Sequence, residues 1–420
     1  VRDGRPTGAG AAPSGGEEGN QEMVIVFSAG NAGPGATTIG DRGAAAKNTI
    51  TVGASENFNA TGDADGCNPA GCCDDNDADD IRQVIGFSSR GPTADGRSKP
   101  DIMAPGTHVF GAASQDATFD GSVVCGSATN DGMLPADDAY YPADPDATDA
   151  RDQDLYTWSS GTSHSAPAVA GGAALLRQWF INNGHTPPSP AMTKAYLMNT
   201  ASYMTGPADD LPSDDQGMGQ MNLGMAFDAT PRLLFDQVKT AHNTAAVDAS
   251  EVFTVTGQVA DNTRPFRVTL AYTDAPGTPG AGTIRNNDLD LEVQVGGNFY
   301  RGNDFTQATS NMGAVADPPD DDNNVESVFL PVGTSGNFTV TVRPTNINSD
   351  GVPNNGDADD QDFALAIYNA EFPARDAVDI ILVLDISGSM DNVAPGGTIP
   401  KIDLLKDAVE MFIRTWEPFS

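Results

Sequence analysis

The sequence predicts a multidomain protein: part of an α/β domain with a covered parallel sheet, then an antiparallel β-sandwich, then the opening βα unit of a further α/β domain. Three observations carry this. Over residues 1–228, short unbroken apolar runs alternate with segments of helical periodicity, which implies a parallel sheet covered by helices. Over 232–372, apolar residues fall at every second position between clusters of Gly, Pro, Asn and Asp, the pattern of half-buried antiparallel strands. Over 376–420, one apolar run and one amphipathic stretch follow, too little for a core. The length agrees, since 420 residues exceed the roughly 250–300 at which a single core stops growing.

Residues 1–22, rich in Gly, Pro and Ala, read as an irregular connection. Residues 23–27 and 48–52 are short, apolar and β-branched, as buried parallel strands are. Helical periodicity appears at 168–180 and at 190–201, where Pro190 suits a first turn. Period two then takes over at Val255 and Val259; Phe266, Val268, Leu270 and Tyr272; Leu289, Leu291, Val293 and Val295; Phe338, Val340 and Val342; and Phe363, Leu365 and Ile367. No helix is needed between about 232 and 370. Finally, residues 380–384 are uniformly apolar and end at Asp385, and Ile402, Leu405, Val409, Phe412 and Ile413 share one helical face.

Composition narrows the function. Lys and Arg number 22 against 58 acids, a net charge of −36, and 48 of the acids are Asp. A nucleic-acid backbone would be repelled. Asp-rich loops suit calcium ligation and an acidic, salt-tolerant surface. The 46 Gly and 29 Pro describe a loop-rich chain, while 39% hydrophobic content suffices for cores. No apolar run approaches 18 residues, so no membrane span is expected. Val1 is not Met, and the first twenty residues resemble no export signal, so the chain is expected to be a piece of a longer one.

The most informative stretch is Ser159-Ser160-Gly161-Thr162-Ser163-His164-Ser165-Ala166-Pro167, leading into Ala168-Val169-Ala170-Gly171-Gly172. Small residues pack a tight turn, Ser163 stands at the mouth of a helix, and Pro167 is expected in the first turn, where its missing N–H removes no helical bond. A Ser there lies at the positive end of the helix dipole, and its own amide can help hold an oxyanion. The plainer role for such a Ser is to cap the helix.

With its following small residue and Pro, this string resembles the nucleophile segment of the subtilisin-like serine peptidases. The resemblance extends upstream and in order, through Val26-Phe27-Ser28-Ala29-Gly30-Asn31, Lys47-Asn48-Thr49-Ile50-Thr51-Val52-Gly53-Ala54, Phe87-Ser88-Ser89-Arg90-Gly91-Pro92 and Lys99-Pro100-Asp101-Ile102-Met103-Ala104-Pro105-Gly106. It implies acyl transfer from a polypeptide substrate: Ser163 attacks the peptide carbonyl, a His serves as base, an Asp orients it, and the Ser163 amide with the Asn31 side chain holds the oxyanion. It also implies a secreted or surface-attached endopeptidase that needs no cofactor for catalysis.

One departure is large. The family's chain order is Asp, His, Ser, with the oxyanion Asn between His and Ser. The four histidines are His108, His164, His185 and His242, and none precedes Asn31. The base and its partner are therefore expected before Val1, in an active parent of an inactive fragment. The rival reading is a catalytically dead scaffold within an adhesion or binding protein.

Cys67, Cys72 and Cys73 lie in an Asp/Gly-rich insert at 62–80, and Cys125 lies in a second insert at about 113–155. Their spacings exclude a CxxC zinc pair. In a secreted protein, disulfides within or between the inserts are the better expectation, with three full pairings open. Asp63, Asp65, Asp74, Asp75, Asp77 and Asp79 either ligate calcium or form a solvated acidic loop.

The segment Asn287-Asp288-Leu289-Asp290-Leu291 resembles the jelly-roll-like domains that follow the catalytic domain in several extracellular subtilases. Period two puts Asp288 and Asp290 on one face, a carboxylate pair able to bind structural Ca²⁺ or simply a polar face. Asp385-Ile386-Ser387-Gly388-Ser389, after a buried strand, is similar to the start of a Rossmann-like von Willebrand factor type A domain. That resemblance implies Mg²⁺ held by Asp385, Ser387 and Ser389 and a protein ligand completing its shell.

Overall fold

The computed structural model describes residues 22–40, 43–58, 78, 80–112, 156–240, 252–277, 284–352 and 360–373. Val1–Phe372 form one compact unit and Pro373–Ser420 a second. The predicted strand at 380–384, the amphipathic stretch from Ile402 to Ile413, the metal ligands Asp385, Ser387 and Ser389, all four cysteines, the insert's Asp63, Asp65, Asp74, Asp75, Asp77 and Asp79, and His242 lie outside the described residues.

The first half is organised by a parallel sheet of β1 (Val26–Ser28), β2 (Ile50–Ser55) and β3 (Ile102–Pro105), in that order. Val26 pairs with Ile50, and Val52 with Ile102. The central strand is buried throughout, which is why it reads as an uninterrupted run. The predicted strand at 23–27 is corrected to Val26–Ser28 and is only partly buried, because β1 pairs with β2 alone among the described residues. A short antiparallel pair follows, β4 (Val109–Ala112) with β5 (Tyr156–Ser159), and the latter leads straight into the nucleophile turn.

Two helices cover this sheet. The first, α1 (Thr162–Asn182), packs Val169, Leu176 and Phe180 into one core with Ile50, Val52 and Ile102. It begins six residues before the periodic stretch at 168–180, because small residues in its first turns carry no apolar stripe. The second, α2 (Pro190–Asn199), has Pro190 at its start as predicted, and the Ser189 hydroxyl caps it by accepting from the Met192 N–H at 3.0 Å. A third, short helix is α3 (Leu223–Ala226).

Two antiparallel sheets make up the second half. The first is ordered β10 (Asn298–Arg301), β9 (Asp288–Val295), β14 (Asn337–Asn346), β7 (Phe253–Val259), β16 (Ala370–Glu371). The second runs β13 (Val325–Leu330), β8 (Phe266–Ala271), β15 (Gln361–Tyr368), β6 (Arg232–Thr240). A small pair, β11 (Phe305–Thr306) with β12 (Thr309–Ser310), joins them. Val255, Leu291, Val293 and Val340 of one sheet share a core with Val268, Leu270, Leu365 and Ile367 of the other. The alternating strands thus stand where period two puts them. Strand β13 escaped that pattern because all six residues, Glu326 and Ser327 among them, are buried.

Helix α2 is where the two halves meet. Met192, Ala195, Tyr196 and Leu197 share a cluster with Ala271, Phe329, Ala364 and Ala366, so the helix is enclosed by the parallel sheet's core on one side and by β8 and β15 on the other. Enclosure from both sides leaves no polar stripe, and its polar groups must be matched one by one. Lys194 pairs with Asp101 at 2.9 Å, and Asn199 donates to the Thr269 hydroxyl at 3.1 Å. Half-buried Arg267 of β8 donates to the carbonyls of Asn199 and Ala201 at 3.0 and 2.7 Å, closing the helix's C-terminal end.

The Lys99-Pro100-Asp101 string serves this buried network. Lys99 Nζ lies 2.5 Å from Asp101 Oδ2, which also accepts the Thr51 N–H at 2.7 Å. Burial pushes the Lys99 ammonium down to about 7, against the pull of Asp101. Burial alone would raise Asp101, but Lys194 and Lys99 together bring it below the usual carboxylate range.

Candidate active site

Ser163 is the second residue of α1, and the capping position belongs to Gly161. That removes the capping role from Ser163. Its side chain is exposed and makes no hydrogen bond among the described residues. Pro167 sits at the sixth helical position rather than in the first turn, so the expectation that it costs no helical bond is corrected: the N–H that would have bonded the Ser163 carbonyl is missing.

The residue before Ser163 organises the turn. Thr162 donates from both N–H and hydroxyl to Asn31 Oδ1, at 3.0 and 2.8 Å, and its hydroxyl accepts the Gly30 N–H at 3.2 Å. A backbone N–H can only donate, so the Asn31 atom facing Thr162 is its oxygen and Nδ2 points away. Nδ2 has no acceptor among the described residues, and neither has the Ser163 N–H; the neighbouring His164 N–H is taken by the Gly161 carbonyl at 3.0 Å. A Cβ placed on Gly161, whose φ is 154°, would lie 3.3 Å from Asn31 Nδ2 and 3.8 Å from Ser163 N. Two unpaired donors thus border one small space that only a glycine leaves open, beside an exposed hydroxyl at a helix N-terminus. Such a pair is suited to hold an oxyanion.

The other strings brace this turn. Ser89 Oγ accepts the Ala32 N–H at 3.0 Å and Ser89 donates its own N–H to the Gly30 carbonyl at 2.9 Å, gripping the Asn31 loop from below. Ser88 Oγ accepts the Ala54 N–H at 3.0 Å, tying that grip to β2. Gly106 accepts the Gly161 N–H at 2.7 Å, and a Cβ on Gly106 would run into Ser165 and Ala54. These hydroxyls were visible in the sequence as parts of strings, but their roles as hydrogen-bond anchors were not.

The histidines go elsewhere. His164 Nε2 is 2.5 Å from Ser159 Oγ, His185 stacks on Trp179 with ring centroids 6.0 Å apart, and His108 is buried, its backbone N–H donating to Ser160 Oγ at 3.0 Å. No described imidazole engages Ser163. The sequence places Asp288 and Asp290 in the other half of the unit, on β9, remote from this turn in topology.

Residues 3–219, just over half of the chain, match the profile of the Subtilase family. The chain belongs to the subtilase family. Among curated relatives of this subtilase, the serine protease/ABC transporter B family protein tagA of Dictyostelium discoideum is 27% identical over 281 residues, 62% of this chain and 14% of that protein. Serine protease AprX of Bacillus subtilis is 33% identical over 156 residues, 37% of this chain and 26% of that protein. The chain therefore spans about a seventh and about a quarter of these relatives. Among solved structures, the self-cleaved protease domain of PatA is 21% identical with a TM-score of 0.28, covering 49% of either chain.

A pH effect arises beside the site. The Asp214 carbonyl accepts the Gly91 N–H at 2.9 Å, bracing the loop that holds Asn31. Burial, with Asp215 and Asp209 adding to it, pushes the Asp214 carboxyl up to about 6. A carboxyl raised in the folded state adds stability that is complete below roughly pH 4 and lost as pH rises through its folded value. Asp214→Asn is expected to raise the melting temperature at pH 8 and leave it unchanged at pH 3; equal shifts at both pH values would contradict this.

Proposed function

We propose that this chain carries the nucleophile and oxyanion side of a serine endopeptidase, with Ser163 forming the acyl-enzyme and Asn31 Nδ2 and the Ser163 N–H holding the oxyanion. The observation that supports it most is the Thr162 clamp on Asn31, which leaves two donors and one hydroxyl free around the same turn. Polypeptide is the substrate, and the protein is secreted or on the cell surface. The general base and its Asp come from residues preceding Val1; of the described imidazoles, His164 and His185 are engaged away from Ser163. Residues 1–228 belong to the peptidase domain, 232–372 to a jelly-roll-like domain, and 376–420 begin a von Willebrand factor type A domain whose Asp385, Ser387 and Ser389 take Mg²⁺ and a protein ligand.

A fluorophosphonate probe tests this reading. The longer protein should be labelled at Ser163 and the 420-residue chain at a rate near that of an ordinary serine, since loss of the base alone can cost about 10⁶-fold. Equal labelling of the two would refute the missing base. Absence of labelling in the longer protein would favour the dead-scaffold reading, in which the fold only displays an adhesive domain.

A further inference from the structure

The sequence contains two Asn-x-Ser/Thr triplets, Asn59-Ala60-Thr61 and Asn337-Phe338-Thr339. The first lies outside the described residues, and the second opens β14. Burial alternates from the first residue of that strand, with Asn337 exposed, Phe338 buried and Thr339 half-buried. Period two therefore sets Asn337 and Thr339 on one face, while the residue between them is anchored in the core, the Phe338 ring 5.0 Å from that of Phe266 between centroids. The face that carries Asn337 and Thr339 is the solvent side of its sheet. Its other side fills the sandwich core, and the residues that pack on α2 belong to the opposite sheet.

The backbone of Asn337 is held while its side chain is not. It pairs with Gln258 in the antiparallel register, and its carbonyl accepts the Gly296 N–H at 3.4 Å. Among the described residues neither the Asn337 amide nor the Thr339 hydroxyl makes a hydrogen bond. The amide of the facing Gln258 does not compete for them, because it donates to Glu371 at 2.6 Å. An Asn at such a position commonly bonds the backbone of its own turn, and that plainer role is not taken here. The rim around it is uncrowded: a Cβ on Gly297, Gly333 or Gly336 would meet nothing within 4 Å. Val332, in the loop leading into β14, is 61% exposed.

We propose that Asn337 is the acceptor of an N-linked glycan. The proposal rests on the secreted or surface-attached reading, because the transfer takes place on the export side of a membrane. Asn337 Nδ2 attacks the anomeric carbon of a saccharide carried on a lipid phosphate or diphosphate. The new C–N bond replaces the C–O bond to the phosphate, the lipid phosphate leaves with that bond's electron pair, and the amide gives one proton to the transferase. The Thr339 hydroxyl, on the same face, is the group the transferase reads. A bulky, solubilising graft needs a site where it displaces no contact and blocks no dock. Asn337 meets both needs, since its amide leaves no partner behind and its sheet is the one turned away from α2. The exposed Val332 beside the strand gives the sugar's C–H face something to cover.

The test is mass spectrometry of the peptide containing Asn337, from the longer protein of the source cells and from the 420-residue chain given an export signal in a host that performs N-glycosylation. Each peptide should carry an added saccharide, and enzymatic release should turn the Asn337 amide into a carboxylate. Asn337→Gln and Thr339→Val should each abolish the addition, and Thr339→Ser should retain it. Val keeps the shape of Thr and Ser keeps its hydroxyl, so this contrast separates recognition of the triplet from packing. An unmodified Asn337 in the exported chain, or in longer protein found outside the cell, would overturn the proposal, as would a saccharide that persists on this peptide in both Asn337→Gln and Thr339→Val. Longer protein found only inside the cell would refute the secreted reading instead, and the exported chain then decides the acceptor by itself. Should one variant fail to fold, the other decides.

Discussion

On the proposed reading, replacing Ser163 by Ala in a longer protein that carries the base is expected to lower casein hydrolysis by about 10⁶-fold with no change in KM, because the hydroxyl acts only in the chemical step. Asn31→Ala is expected to cost about 10²–10³ in kcat, the magnitude known for the corresponding donor in subtilisin itself. The two effects differ for a reason visible at the turn. Without the hydroxyl the proposed acyl-enzyme has no nucleophile, whereas without Asn31 Nδ2 the unpaired Ser163 N–H remains as a donor. The combined variant should be no slower than Ser163→Ala, since the lost donor serves an intermediate that no longer forms. A protein that still hydrolyses casein at a tenth of its rate after Ser163→Ala would place the nucleophile elsewhere.

Asp274→Ala is expected to cost about 3–5 kcal/mol, the price of leaving a buried charge without its partner. Lys47 Nζ spends all three N–H groups in this dock, on Asp274 Oδ2 at 2.6 Å and on the carbonyls of Ala275 and Ile284 at 2.5 and 2.8 Å. Burial lowers the Lys47 pKa, and Asp274 opposes that shift. Alongside, Asn48 exchanges two hydrogen bonds with the Asp274 backbone, at 2.8 and 3.1 Å. Lys47→Met should cost less than Asp274→Ala, because it removes the charge itself, and the double variant should cost well under the sum. Urea unfolding of the four proteins measures this; additive losses below about 1 kcal/mol each would mean the dock is open to water.

Much of the fold was legible because its signals are local. Strands β7, β8, β9, β14 and β15 follow from apolar residues at alternate positions, and α2 from Ser189 and Pro190 at its start. Strand β13 was not, since burial on both faces erases alternation, and the start of α1 was not, since Gly, Ser and Ala carry no stripe. At the site, Ser163 and Asn31 could be named from the strings around them. The position of Pro167 five residues into α1 could not, because where a helix begins depends on the Gly161 backbone and on Asn31 accepting its first N–H.

The order of residues alone determined which side chains are available for chemistry: a hydroxyl in Gly161-Thr162-Ser163, an amide at Asn31, acids spaced by two on β9. Tertiary structure alone decided how each is used. Thr162 meets Asn31 across 131 positions and turns its amide outward, and Lys47 meets Asp274 across 227. Asp288, Asp290 and Glu326, ordinary surface residues by type, become a closed acidic cluster. The reason is desolvation: a polar group's partner matters little in water and governs its energy once packing from distant segments has removed that water.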